Sequence, residues 1–216
     1  MGSSEALYRD KHEWNLFINT GLLAILAVTA VFLYANTLDA PFLFDDRYAI
    51  FDERSAIHIE ELSLDSLKQV VTQSHSRRRP LPMISFALNY YFHEFDVFGY
   101  HLVNIAVHVL TAFCLFFLFQ TTLRLLLKHR EKAVGPDEKL SPASILEPVW
   151  IAFLAALIWM AHPVHTNAVS YIVQRMTSLA VLFYILSLLL YVKGRFAVRA
   201  GRFKTAAGFF AGCFFS

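Results

Sequence analysis

Charged side chains are scarce: Asp, Glu, Lys and Arg make up 17% of the 216 residues, against roughly a quarter in an ordinary soluble domain. Glycine (8) and proline (7) are few, and the only cysteines, Cys114 and Cys213, both lie in apolar stretches. These shortages exclude a disordered chain, a basic nucleic-acid-binding protein and a small disulfide-rich secreted domain. The formal net charge of +2 is too small to argue for a charged partner. The sequence also lacks internal repeats, a Gly-rich phosphate loop, a nucleophile elbow and a zincin motif.

Apolar and aromatic residues fill the space instead, at 56% and 15%, with a mean hydropathy of +0.47. The pattern predicts an all-α polytopic membrane protein. No charge interrupts Trp14 to Leu38 or Val97 to Leu123. A third apolar run follows Pro148 and stops at His162-Pro163-Val164-His165, because Pro163 pushes the residue before it out of helical geometry. A fourth runs from Thr166 to Val192 with Arg175 inside it.

Lys and Arg cluster after the second and fourth runs, at Arg124, Lys128, Arg130, Lys132 and Lys139 and at Lys193, Arg195, Arg199, Arg202 and Lys204. Short basic loops stay on the cytoplasmic side. The expected plan is a cytoplasmic N-terminus (1–13), a first span (14–35), an outer loop (36–98) and a second span (99–127). A cytoplasmic loop (128–148), a third span (149–162) and a fourth (166–192) follow. A basic cytoplasmic loop (193–204) then leads into the start of a fifth span (205–216), so the chain reads as a fragment. Within the outer loop, Ser63 caps a short helix with Leu64, Leu67, Val70 and Val71 on one face, and Pro80 opens a second. Both are expected to lie along the membrane surface, over the bundle.

Five groups of residues are candidates for chemistry. Asp45 and Asp46 follow the apolar Pro41–Phe44 at the expected interface, where partial desolvation raises a carboxylate's pKa and suits it to accept a proton; the alternative is a solvated turn. His101, Asn104 and His108 share one helix face, fit either for a ligand or for interhelical hydrogen bonds. His162 and His165 can hold their turn, donate to a phosphate, or bind a metal together with Asp45 or Asp46. Arg175, about 12 Å below the outer end of a helix starting at Asn167, partners either an anionic ligand or a carboxylate in the bundle. Arg79, last of the Arg77-Arg78-Arg79 run, is placed to reach a lipid phosphate.

Several strings carry a resemblance. They are Phe44-Asp45-Asp46, Arg79-Pro80-Leu81, Gly99-Tyr100-His101-Leu102-Val103-Asn104 with His108, and His162-Pro163-Val164-His165-Thr166 followed by Ala168-Val169 and Arg175. From Ala35 to Tyr191 their order resembles the N-terminal membrane region of the transmembrane and tetratricopeptide-repeat O-mannosyltransferases and their bacterial relatives. Those are membrane glycosyltransferases of the C-type fold.

The resemblance implies a partial fold of that type. It also implies a polyprenyl-phosphate hexose donor (mannose in the eukaryotic members), a Ser or Thr acceptor on a periplasmic or lumenal protein, and inversion at the anomeric carbon. Asp45 and Asp46 match the acidic motif, one as base and the other as a positioning group. Arg79 matches a phosphate contact, and His101, His162, His165 and Arg175 match by position as substrate or phosphate ligands. No cofactor is fixed, although a divalent cation is compatible, and no nucleic acid is involved. Tetratricopeptide repeats are expected in the full-length protein, and the fragment is expected to be inactive alone. Asn167, Gln174 and Met176-Thr177 depart from the pattern, which leaves the sugar and the acceptor open. A non-catalytic scaffold or lipid-binding subunit is the rival reading, and a transporter the third.

Overall fold

A computed structural model of the chain describes residues 2–51, 56–74, 76–133 and 147–215, with side chains described from Leu16 to Arg130 and from Glu147 to Cys213 within those limits. Lys139 and the Lys132 side chain, both assigned to a basic loop, lie outside the described residues. The described residues form eight α-helices in order: α1 (Gly2–Tyr34), α2 (Leu64–Gln73), α3 (Pro80–His93), α4 (Val97–Ala133), α5 (Pro148–Ala161), α6 (Thr166–Ser170), α7 (Arg175–Arg199) and α8 (Phe203–Phe215). Among the described residues there is no strand.

Among the described residues three stretches are long and apolar enough to cross a membrane: Leu16–Thr37, Val97–Arg130 and Ile172–Arg199. Helix α5, with 14 residues, extends only about 21 Å at 1.5 Å per residue, short of a hydrocarbon core of about 30 Å. It forms a bent pair with Pro163–Ser170, turning by 50°, which makes a fourth span if the two halves are one.

Two compact units divide the chain. The first to be described comprises Val31–Leu110 and Ala161–Tyr184. Its core gathers Phe42, Ile50, Ile57, Val70, Met83, Phe86, Tyr100 and Ile172, all buried. Helix α2 starts as its sequence dictates, with the Ser63 hydroxyl accepting from the Ser66 N–H at 3.1 Å. Ser63→Ala should therefore lower stability by about 1 kcal/mol, read as a lower melting temperature of the purified protein. Pro80 occupies the first turn of α3, where its missing N–H leaves no bond unmade. Helix α3 then buries Met83, Phe86, Ala87 and Asn89.

The segment expected to be one helix from Thr166 to Val192 is broken. Helix α6 ends at Ser170, Tyr171 is extended (φ −92°, ψ 114°), and a 3-10 turn at Ile172–Gln174 leads into α7. Arg175 is thus the first residue of α7 and not a residue two turns inside a helix. An unwound backbone is tolerated at membrane depth only where its polar groups find partners in the protein. Those partners are side chains of the site described below.

The second unit comprises Met1–Ala30, Thr111–Met160 and Ile185–Ser216. Within it the Gln120 amide of α4 donates to Asn19 Oδ1 of α1 at 2.9 Å. Helices α7 and α8 approach closely at Gly194, where a Cβ would come within 2.7 Å of the Phe210 ring.

Candidate functional site

The site-bearing turn is built from residues 41–51. Asp46 N–H donates to Leu43 O (2.9 Å) and Arg47 N–H to Phe44 O (3.1 Å). In return Leu43 N–H donates to Asp46 Oδ2 at 3.0 Å. Phe44 is held at φ +42°, a left-handed conformation that costs a non-glycine residue on the order of 1 kcal/mol and that concentrates at functional sites.

The two neighbouring carboxylates have different surroundings. Asp46 is 1% exposed, and its second oxygen accepts the Val173 N–H at 2.7 Å. Burial pushes its pKa above the ordinary carboxylate value, against the lowering effect of those two backbone N–H groups and of nearby His101, while Asp45 adds a smaller push upward. Asp46 therefore clasps the turn to the start of the unwound segment. Asp45 is exposed, and its backbone N–H donates to the Tyr171 hydroxyl at 2.8 Å.

Asn104 and Arg175 hold the remainder of the break. Asn104 Nδ2 lies 3.1, 3.3 and 3.4 Å from the carbonyls of Val169, Tyr171 and Ile172, groups that a continuous helix would have bonded itself. Asn104 Oδ1 accepts from Arg175 Nε at 2.7 Å. Arg175 is fully buried. Its Nη1 donates to Asn89 Oδ1 at 2.6 Å and reaches Ser85 O and Oγ, each at 3.3 Å, while Nη2 donates to Tyr100 O at 2.8 Å. The guanidinium carbon lies 4.6 Å from the Phe86 ring centroid, a cation–π contact. Of the protein partners open to Arg175, no carboxylate among the described residues stands at its donors. Neutral acceptors take them instead, so Arg175 acts here through the backbone that it positions.

The histidines are divided between elements. His101 is 1% exposed, and its Nε2 donates to Ala40 O at 2.9 Å. Its Nδ1 is buried with no hydrogen-bond partner among the described residues. His101 so anchors the chain leaving α1 at Ala40, five and six residues before the two acids. His162 is exposed, and its Nδ1 accepts from Val164 N–H at 3.2 Å, capping the Pro163–His165 turn. His165 stands beside His108, ring centroids 5.5 Å apart, and 6.4 Å from the His162 ring. Among the described residues no group of three His, Cys, Asp or Glu stands close enough to hold a metal, so neither Asp45 nor Asp46 completes a site with His162 and His165.

Arg79 does join Asp45. Both line a pocket of ≈ 480 Å³ together with Tyr48, Ser76, Gln174 and Thr177. Arg79 also borders a second pocket of ≈ 400 Å³, walled by Pro80, Leu81, Leu179, Ala180 and Phe183. Met176 and Thr177 are shared by both, and Arg79 Nη1 lies 3.5 Å from Met176 Sδ. A polar chamber with an exposed carboxylate thus meets an apolar one at a guanidinium. That layout suits an amphiphile with an anionic junction between a polar head and an apolar tail.

In the sequence Asn104 stands in a polar stripe fit for a ligand or for interhelical hydrogen bonds and Asn89 is only the main polar group of an apolar stretch, while Tyr171 and Ser85 are not singled out. Asn104 carried a signal, as a polar residue in a charge-free run. Tyr171 carried none.

Comparison with known proteins places relatives on this chain. The protein O-mannosyl-transferase Tmtc3 of Drosophila melanogaster is 32% identical over 176 residues, covering 78% of this chain and 18% of the relative. The protein O-mannosyl-transferases tmtc2 of Xenopus laevis and TMTC2 of Homo sapiens are each 31% identical over 191 residues, 84% of this chain and 20% of the relative. The chain therefore spans about a fifth of the length of the curated relatives it matches. No family model matches it, and no solved structure does. The resemblance carried by the motifs is borne out, and by its relatives the chain belongs to the protein O-mannosyl-transferase family, as a stretch corresponding to about a fifth of its members' length.

Proposed function

We propose that this chain carries the catalytic turn of a membrane glycosyltransferase. It would move a hexose, mannose by its relatives' names, from a polyprenyl-phosphate donor to a Ser or Thr hydroxyl of a protein on the periplasmic or lumenal face. The observation that carries the reading is Arg79 standing at the meeting of the Asp45 chamber and the apolar chamber. The apolar walls receive the first isoprene units, Arg79 balances the phosphate, and the sugar extends into the polar chamber. Asp45 removes the proton from the acceptor hydroxyl as its oxygen attacks the anomeric carbon. The bond from that carbon to the phosphate oxygen breaks, the sugar's configuration inverts, and the polyprenyl phosphate departs with its negative charge held by Arg79. Asp46, Asn104 and Arg175 keep Asp45 and the unwound segment in place, and Gln174 and Thr177 face the sugar.

The test is transfer from polyprenyl-phosphate mannose to a Ser/Thr peptide by the full-length protein in proteoliposomes. Arg79→Ala should lower kcat/KM by about 10²-fold, the scale for losing one donor to a developing anion, and Arg79→Lys should recover part of it. A folded parent that transfers no hexose from any polyprenyl phosphate would put the scaffold reading ahead.

A further inference from the structure

A second cationic pocket lies in the unit that does not contain the Asp45 chamber. It is formed where α4 and α7 end, with a volume of ≈ 180 Å³, and is lined by Leu125, Lys128, His129, Phe196, Arg199 and Ala200. No carboxylate lines it among the described residues. Among the described residues the only ion pair is Asp65 with Lys68, far away in sequence. Two cations are therefore held at one small cavity whose wall, among the described residues, carries no counter-charge.

The cavity is also organised. Arg199 Nη1 lies 2.8 Å from His129 Nε2. A guanidinium can only donate, so Nε2 is the acceptor, and the imidazole proton sits on Nδ1, where it remains a donor. Lys128 Nζ lies 6.0 Å from the Phe196 ring centroid, which directs the ammonium over the cavity wall. Leu125, Phe196 and Ala200 make the rest of that wall apolar. Fixed N–H donors on a guanidinium and an imidazole, an ammonium and an apolar flank fit a phosphate ester attached to an acyl glycerol. Basic pockets between transmembrane helices are where anionic lipid headgroups are held.

We infer that the Lys128–His129–Arg199 pocket binds the phosphate headgroup of an anionic phospholipid in the leaflet at the basic ends of α4 and α7. The site is separate from the proposed transferase chemistry and does not depend on it. Lys128 and Arg199 are both exposed, so replacing them leaves the packed interior intact.

The test is native mass spectrometry of the protein released from nanodiscs of phosphatidylcholine with phosphatidylglycerol or phosphatidic acid. The parent should retain anionic lipid in preference to phosphatidylcholine. Lys128→Gln and Arg199→Gln should each reduce retention about fivefold, the scale for one cation near a membrane surface, and Lys128→Arg should keep it. Arg195→Gln and Arg202→Gln, exposed cations outside the pocket, serve as controls for the general surface field and should reduce retention less than either pocket change. Displacement of the lipid by millimolar inorganic phosphate would uphold the anion site but assign it to a soluble phosphate. Equal retention of anionic lipid by the parent and the two glutamine variants, or losses as large in the two controls, would overturn the inference.

Discussion

Arg175→Met is expected to destabilise the protein by on the order of 3–5 kcal/mol. The thioether matches much of the arginine stem's bulk but donates nothing. Its introduction leaves Asn89 Oδ1, Asn104 Oδ1, Ser85 O and Tyr100 O without the donors that they have at 2.6–3.3 Å. An unsatisfied buried acceptor costs about 1–3 kcal/mol, and the side-chain oxygens of Asn89 and Asn104 are buried with no helix N–H to fall back on, unlike the carbonyls of Ser85 and Tyr100. Once Asn104 is free to rotate, the carbonyls of Val169, Tyr171 and Ile172 lose their shared donor as well. The measurement is the melting temperature and the monodisperse yield of purified variant against parent. Arg175→Lys should fall between them, because an ammonium is a point donor that cannot span acceptors on two sides as a planar fork does. A variant that melts with the parent would show that the unwound segment is held by something other than this network.

Asp45→Asn is expected to lower hexose transfer by about 10²–10⁴-fold, the range for removing a general base, while stability stays within about 0.5 kcal/mol of the parent, as at other exposed positions. Its carboxylate lines the open chamber, and the bond to Tyr171 comes from its backbone N–H, which the substitution keeps. Asp46→Asn should behave differently. Asp46 accepts from Leu43 on one oxygen and from Val173 on the other. An amide has only one acceptor atom, so its NH₂ must face one of those N–H groups, at a cost of about 1–3 kcal/mol. Activity then falls with the folded fraction. Two adjacent aspartates thus separate into a group that meets the substrate and a group that holds the turn.

What was legible in the sequence depended on how local its cause was. Ser63 and Pro80 start their helices through bonds made or forgone within one turn, and both could be read directly. Pro163 ended α5 at Ala161 for the same reason. The break at Tyr171 was not legible, because no glycine or proline lies between Thr166 and Arg175. It is imposed by Asn104 and Asp46, 67 and 127 residues away from the groups they bind. The surroundings of Arg175 were hidden likewise: its acceptors come from residues 71 to 90 positions earlier. The motif drew attention to Asp45 and Asp46 together, and only the fold distinguishes them, since one peptide unit turns the first outward and the second into the core.

The most direct measurement of the central claim is single-turnover transfer from prebound polyprenyl-phosphate hexose by the Asp45→Asn protein. Donor affinity should stay within about twofold of the parent, because Arg79 and the apolar chamber are untouched. The chemical step should slow by at least about 10²-fold, since a donor bound normally would lack the group that activates its acceptor. Transfer at the parental rate from normally bound donor would contradict the account, because Asp45 would then be a solvated turn residue and the proton would leave by another route.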